Sequence, residues 1–291
     1  MLIAPLPPSH NLVLNKFAIV PEHFILATQA FKEQTHLLER EDLEVAFACI
    51  EAYHNYHNTY NKEALGGTQA VDGDGEGAVD GVLVGGKGCG KFGGESEELF
   101  VFFNSGAASG SSQPHRHIQL LPVNRMREGL SEDEDKAWDV LASQLLDEGV
   151  RGRVPFRTFA VRIGKGLDLY EMYLRLYRRA CEAVLGSEGP RLLVEDVDEG
   201  RREARVDYNL AMTRDVMVIA PRLAEGEAVT VVGEDGVRKT LGKLAVNGTV
   251  LAGTALVKSQ EEWDALRAEP EQVLEILGRI GVPTIQAPSL L

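Results

Sequence analysis

The chain has 291 residues, 44% of them hydrophobic, which suffices for one large compact unit or two modest lobes with a sizeable core. Lys and Arg number 30 against 44 Asp and Glu, a formal charge of −14 that repels nucleic acid and anionic membrane surfaces. A small phosphate-bearing ligand is compatible with that sign, because one pocket of backbone N–H groups and a Lys or two acts locally. No basic segment followed by an apolar stretch opens the sequence and no apolar run approaches ~18 residues, so a cytoplasmic or nuclear location is expected. Cys49, Cys89 and Cys181 stand far apart with no CxxC pair, which indicates neither a disulfide framework nor a cysteine zinc site.

"NLVLNKFAIV" (11–20) and "FILAT" (24–28), on either side of Pro21, read as two strands of a hairpin. Leu43, Phe47, Ile50 and Tyr53 then recur at three- and four-residue steps and predict a helix over 41–63, stopped by Gly66 and Gly67. Residues 66–96 are so rich in Gly and Asp that few side chains remain to bury, as expected for a mobile surface insertion. Within it "GGKGCGKF" (85–92) has the GxxxxGK spacing of a phosphate loop. Phe92 stands where Ser or Thr would hold Mg²⁺, and "GGESEE" follows where a helix should start, so that chemistry is not expected.

"LFVFFN" (99–104) and "HRHIQLL" (115–121) read as strands. Ser131 with Glu134 forms a capping box for a helix over 132–147, "VPFRTFAVRI" (154–163) reads as a strand, and a helix ending at Gly186 carries Leu169, Met172, Leu176, Val184 and the stem of Arg179 on its apolar face. Residues 187–203 are a charged linker. "YNLAMTRDVMVIAP" (208–221) echoes "HNLVLNKFAIVP" (10–21), a weak internal repeat in which Met212 and Met217 read as core. Short strands at 228–242 and 244–258 and a broken helix over 261–281 complete the chain. The expected class is α+β with a mainly antiparallel sheet, two related halves and flanking helices.

The chemistry concentrates in "QPHRHIQLLP" (113–122). On a strand His115, His117, Gln119 and Leu121 project to one face, and Arg116, Ile118 and Leu120 to the other. Upstream, "NSGAASGSSQP" (104–114) offers small residues and hydroxyls around which backbone N–H groups can approach an anion. Neutral imidazole beside such a loop suits nucleophilic attack on phosphorus, provided an acceptor holds the proton of its other nitrogen. HxH by itself is also compatible with a structural role or with two metal ligands, although no third ligand follows at a recognisable spacing. His54 and His57 share a helix face and read as its polar edge.

"FFNSGAASGSSQPHRHIQLLPV" (102–123) resembles the signature of the fungal-type diadenosine tetraphosphate phosphorylases, ATP adenylyltransferases of the histidine-triad (HIT-like) superfamily. "VLNKF" (13–17), "VPEHFILAT" (20–28) and "VNGTVLAGTALVK" (246–258) are similar to the same family, so the resemblance spans nearly the whole chain. It implies a HIT-like catalytic half over 1–150, a connecting strand, helix and linker over 151–203, and an adenylyltransferase C-terminal half over 204–291. It implies that His117 takes up AMP, that the main chain near His115 orients its ring, and that Gln119, where the hydrolytic branch has a third histidine, donates to phosphoryl oxygens. Implied substrate contacts are Lys16, Asn104, Gly110, Ser111, Ser112, Gln113, Asn247, Gly248, Thr249 and Lys258.

The implied reaction is the reversible phosphorolysis of diadenosine tetraphosphate to ATP and ADP. No metal is required for the nucleophile, Mg²⁺ being at most a companion of the polyphosphate. Two halves in one chain suggest a monomer without nucleic-acid or membrane partners. The resemblance also implies a further N-terminal stretch ahead of "MLIAPLPPSH" in relatives, so an outer strand or substrate-covering segment is expected to be missing from this sequence. A sugar-phosphate uridylyltransferase shares the HxHxQ pattern, but its HPHPQ prolines and a cysteine pair for zinc are absent. A catalytically silent nucleotide-binding relative is the third reading.

Overall fold

The computed structural model describes residues 1–66, 98–186, 203–233 and 236–284, with the side chains of residues 58 and 60–66 excepted. The Gly-rich insertion from residue 67 onward, its GxxxxGK stretch, Cys89 and the charged linker up to residue 202 lie outside the described residues. Eight strands form one antiparallel sheet: β1 (Leu2–Leu6), β2 (His10–Leu14), β3 (Phe24–Thr28), β4 (Leu99–Ser105), β5 (His117–Pro122), β6 (Phe159–Arg162), β7 (Tyr208–Met212) and β8 (Val216–Pro221). Their spatial order is β1-β2-β3-β5-β4-β7-β8-β6. The antiparallel ladder of β4 with β7, from Val101↔Met212 to Ser105↔Tyr208, carries the sheet from the first part of the chain into the last.

β4 is apolar at nearly every position because both of its faces are covered. Leu99, Val101 and Phe103 point to one side, where α1 (Arg40–Gly66) and α6 (Leu169–Leu185) pack. Phe100 and Phe102 point to the other, toward β9 (Gly226–Val232), β10 (Arg238–Ala245), α7 (Gln260–Ala268) and α8 (Glu271–Ile280). Each fully buried Phe or Leu contributes roughly 1.5–3 kcal/mol. On the apolar face expected for α6, Met172 and Leu176 are buried and Leu169 and Val184 pack against the core, and Tyr170, Tyr173, Tyr177, Ala180 and Cys181 are buried with them. Tyr rings reach further into the sheet, and the buried hydroxyls of Tyr173 and Tyr208 hydrogen-bond at 2.7 Å. Arg179 sits at the rim, its guanidinium 4.7 Å from the Phe159 ring centroid. Met212 and Met217 are fully buried.

Five expectations change. The strand expected over 11–20 stops at Leu14, because the Asn15 side-chain oxygen accepts the Phe17 N–H at 2.9 Å and turns the chain. The echo between 10–21 and 208–221 therefore does not extend to structure: the later copy makes two strands joined by a tight hairpin, the earlier one strand and a turn. Residues 132–147 do not form one helix. The capping box is present, but α3 (Glu132–Ala137) ends at Trp138 and the Asp139 carboxylate accepts the Val140 N–H at 2.7 Å. The short α4 (Leu141–Gln144) follows and packs with Val140, Ala142 and Leu145 into the core. Residues 246–258 are not strands either: Asn247 caps a 3₁₀ turn, Gly248–Ala252, through the Thr249 N–H at 3.0 Å. Lastly, His115 precedes β5 rather than lying within it, forming an isolated bridge with Glu33.

A buried ionic cluster fastens β5 to the start of α1. Arg116, whose side chain is 1% exposed, donates through Nη1 to Glu39 and to Asp42, each at 2.8 Å. Asp42 also accepts from His10 Nε2 at 2.9 Å and from the Glu39 N–H at 2.7 Å. Burial pushes the Asp42 carboxyl up, yet the His10 bond, the Arg116 charge and the Glu39 N–H together hold it below the usual range. Removing the cation leaves that carboxylate buried, so Arg116→Met is expected to destabilise the protein by about 3 kcal/mol in urea unfolding; an unchanged midpoint would contradict this.

Candidate active site

The β4–β5 ladder ends at Phe102↔Gln119, and two positions further along the same register Asn104 and His117 are bridged by a side chain instead. Gln34, buried, accepts the His117 N–H at 2.7 Å and donates through Nε2 to the carbonyls of Asn104 at 2.9 Å and His117 at 3.2 Å. Its insertion satisfies the backbone groups that the two strands no longer share. His117, Gln119 and Asn104 sit where the strands part, on the sheet face that also carries Phe102.

The His117 ring is fixed by its own segment. Nδ1 lies 2.9 Å from the His115 carbonyl oxygen, which can only accept, so Nδ1 carries the proton and Nε2 the lone pair. Burial, opposed by that bond and reinforced by nearby His115, lowers the His117 pKa below its ordinary 6.5 and keeps the ring neutral near pH 7. His115 itself turns elsewhere. Its Nε2 is 3.0 Å from the Thr28 hydroxyl and 3.3 Å from the Ala30 carbonyl, and its ring lies 5.4 Å from that of Phe31. The two imidazoles thus do not line one strand face, because the bridge to Glu33 precedes the regular strand.

Gln119 is oriented by a histidine that the sequence did not single out. His23 is buried, and its Nε2 lies 2.9 Å from Gln119 Oε1. His23 Nδ1 faces the Ile19 N–H at 3.4 Å and the Asn15 amide nitrogen at 3.2 Å, both donors. The His23 proton therefore sits on Nε2, Gln119 Oε1 accepts it, and the Gln119 N–H₂ group is turned to the open side. His23 also ties the 15–20 turn, with exposed Lys16 at its tip, to β5. Burial first, then the charge of His117, lower the His23 pKa against the raising effect of Gln119. His23 lies within "VPEHFILAT" (20–28), but nothing in that stretch marks its role, and Gln34 belongs to no local motif; their importance arises from contacts 96 and 83 residues away in the chain.

The second part of the chain enters through the turn at Gly248. Its N–H donates to Asn104 Oδ1 at 2.9 Å. A Cβ on Gly248 would lie 2.5 Å from Phe102 Cδ2, so only glycine permits this approach. Gly110, at φ +79°, ends the 3₁₀ turn Ala107–Ser109 and lies against Val246 and Asn247. The structure thus brings together His117, Gln119, Asn104, Gly110, Asn247, Gly248 and Thr249. Asn247 and Thr249 are engaged with each other, Thr249 Oγ1 donating to Asn247 Oδ1 at 2.9 Å. Ser112 and Gln113 are exposed on the loop, Ser111 is partly so, and Lys258 is exposed ahead of α7, its N–H donating to Glu262 at 3.1 Å. Among the described residues no group of three or more His, Cys, Asp or Glu is arranged to hold a metal ion. His54 Nε2 accepts from Arg214 at 2.9 Å instead.

A neutral, tautomer-locked imidazole beside an outward carboxamide and a glycine-rich loop is an arrangement chemically suited to proteins that take a phosphoryl group on histidine. Residues 1–70 and 95–132 match the Ap4A phosphorylase N-terminal domain, and residues 152–283 the ATP adenylyltransferase C-terminal domain. The chain belongs to the Ap4A phosphorylase/ATP adenylyltransferase family. It is 24% identical over 284 residues to diadenosine 5',5'''-P1,P4-tetraphosphate phosphorylase 2 of Saccharomyces cerevisiae, covering 94% of this chain and 70% of the relative. It is 23% identical over 285 residues to Protein APA1 of the same yeast, with the same coverage. The fold is similar to the crystal structure of yeast Ap4A phosphorylase Apa2, with a TM-score of 0.57 and 23% identity over 94% of this chain and 75% of that one. It is equally similar to the AMP complex of Apa2, with a TM-score of 0.57 and 22% identity over 95% and 74% of the two chains.

Two outcomes are expected. Gly248→Ala forces its methyl into Phe102 and should cost roughly 1–3 kcal/mol, read as a lowered thermal midpoint. His23 and His117, with folded pKa values below 6.5, bind fewer protons folded than unfolded. The stability they contribute is therefore present above about pH 6.5 and lost as pH falls through their lowered folded values. The urea midpoint should fall between about pH 7 and about pH 5, and fall less in His23→Asn; an equal fall in both proteins would refute the assignment.

Proposed function

We propose that this chain catalyses the reversible phosphorolysis of diadenosine tetraphosphate to ATP and ADP through an adenylyl-histidine at His117. The observation that carries this is the His117 ring: Nδ1–H donates to the His115 carbonyl at 2.9 Å, which leaves the Nε2 lone pair as nucleophile. Membership of the family and the yeast relative named as a diadenosine tetraphosphate phosphorylase support it.

In the first step His117 Nε2 attacks the α-phosphorus of one adenosine, an N–P bond forms, and the P–O bond to the remaining polyphosphate breaks to release ATP. In the second an oxygen of inorganic phosphate attacks the same phosphorus, the N–P bond breaks, and ADP leaves. The Gln119 N–H₂ group, aimed by His23, donates to the equatorial oxygens as charge shifts onto them. Lys16 on its turn, the Gly110, Ser111, Ser112 and Gln113 backbone, Asn104, and the Asn247–Thr249 turn with Lys258 supply further donors, preorganised stabilisation of the kind that dominates phosphoryl transfer. The nucleophile needs no metal; Mg²⁺ enters, if at all, with the polyphosphate. Residues 1–150 supply the nucleophile and 204–291 the facing turn, with 151–203 joining them in a monomer. A cytoplasmic or nuclear setting suits the two described cysteines, both free thiols. No helix among the described residues is long and apolar enough to cross a membrane.

The test is chromatography of ATP and ADP after incubation with diadenosine tetraphosphate, with and without phosphate. Phosphate-dependent, equimolar release is expected, lowered at least ~10³-fold in His117→Ala. Release of AMP without phosphate, or turnover that survives the substitution, would overturn the mechanism. Uridylyl transfer from a UDP-sugar would point to the other branch of the superfamily.

A further inference from the structure

Two buried residues that touch neither His117 nor the glycine-rich loop's exposed end form a chain of hydrogen bonds leading to Asn104. Arg222 donates from Nη1 to Asn209 Oδ1 at 2.6 Å. Its Nη2 donates to the carbonyls of Ala224 at 2.9 Å, Glu225 at 3.2 Å and Val246 at 3.2 Å. Asn209 Nδ2 donates to Asn104 Oδ1 at 2.9 Å and to the Ser109 carbonyl at 2.8 Å. Asn104 Oδ1 accepts, besides, the Gly248 N–H at 2.9 Å.

The polarity of this chain has one solution. A guanidinium has no acceptor, so the Asn209 atom facing Arg222 is its oxygen. The Ser109 carbonyl cannot donate, so the Asn209 atom facing it is nitrogen. A backbone N–H can only donate, so the Asn104 atom facing Gly248 is oxygen. Two donors then occupy both lone pairs of Asn104 Oδ1, and the group that Asn104 has left for a ligand is its Nδ2, a pure donor. All five side-chain and main-chain groups are buried, where reversing one amide would set like against like and leave polar groups unsatisfied at ~1–3 kcal/mol each.

We propose that Asn209, held by Arg222, is a positioning residue that fixes the Asn104 carboxamide as a hydrogen-bond donor toward the phosphoryl oxygens of the nucleotide. This rests on the phosphorolytic site described above. It assigns the β7–β8 hairpin of the C-terminal part a share in reading negative charge at the site, without contact to the ligand. Through the Ser109 carbonyl, the same Asn209 amide also holds the turn that leads into Gly110. The donor set on both sides of the ligand is thereby tied to one buried carboxamide.

The probe is AMP, titrated calorimetrically into the full chain, with turnover of diadenosine tetraphosphate followed in parallel. Asn209→Asp keeps size and the acceptor for Arg222 but removes the N–H₂ group. AMP affinity is expected to fall about tenfold in Asn209→Asp and in Asn104→Ala. The double variant should be no weaker than Asn104→Ala alone, because Asn209 acts through Asn104. In turnover both single variants should raise KM for the dinucleotide more than they lower kcat. If the losses multiply to about a hundredfold, or if Asn209→Asp binds AMP like the unaltered protein, the positioning role is overturned. Should thermal melting show Asn209→Asp unfolded, Asn209→Ser and Arg222→Gln enter the same cycle. An unaltered protein that binds AMP and obeys the cycle but turns over nothing would refute phosphorolysis and leave the positioning intact. One that does not bind AMP refutes both.

Discussion

Just beyond the point where the pairing of β4 and β5 stops, the carboxamide of Gln34 stands between Asn104 and His117, and the rest of the site depends on that insertion. A backbone ladder continued to Asn104 and His117 would close the two strands against each other. With Gln34 between them, the His117 N–H, the His117 carbonyl and the Asn104 carbonyl are all satisfied while the strands separate. The parting creates the opening into which both side chains face, and it does so without burying an unpaired backbone group. Behind it, the Arg116–Asp42–His10 cluster holds β5 against the first turn of α1, so that the opening has a rigid wall.

The hydrogen-bond directions around the opening are set by groups that can play only one role. The His115 carbonyl imposes a proton on His117 Nδ1, the Ile19 N–H imposes one on His23 Nε2, and the Gly248 N–H imposes an oxygen on its side of Asn104. Each of these obligate partners is a main-chain group, whose position follows from the fold and not from a side-chain torsion. The result is a nucleophilic nitrogen with two carboxamide N–H₂ groups, those of Gln119 and Asn104, left for a ligand. Such an array favours anionic oxygen, which is how a chain with a formal charge of −14 can hold a polyphosphate.

The eight-stranded sheet joins distant stretches of sequence into this one arrangement. β5 contributes the His117 imidazole, β4 the Asn104 carboxamide, and β7 the Asn209 amide bonded to that carboxamide, while the 3₁₀ turn after β10 closes over them. Glycine at 248 is what permits the closing turn to approach within hydrogen-bond distance of Asn104 beside Phe102. The aromatic core under β4 and β7, with the paired hydroxyls of Tyr173 and Tyr208, keeps the two central strands in fixed register.

Local pattern alone determined a good deal. Period-two alternation through 115–121 placed His117 and Gln119 on one face, helical spacing placed α1, and Gly186 ended α6, because these signals arise from neighbours one to four residues apart. The small residues of 104–113 and the HxHxQ spacing suggested phosphoryl chemistry, and the resemblance of 102–123 to a known family narrowed it. Only the tertiary structure decided the break at Trp138, the turn at Asn15, the departure of His115 from the strand, and the parts played by Gln34, His23, Asn209 and Arg222. The parts of Gln34, His23 and Asn209 turn on buried amides and an imidazole whose partners stand 83, 96 or 105 residues away. A polar residue in an apolar stretch looks alike whether it is solvated or buried, and its meaning appears once the chain has folded and each donor has met the one acceptor it can satisfy.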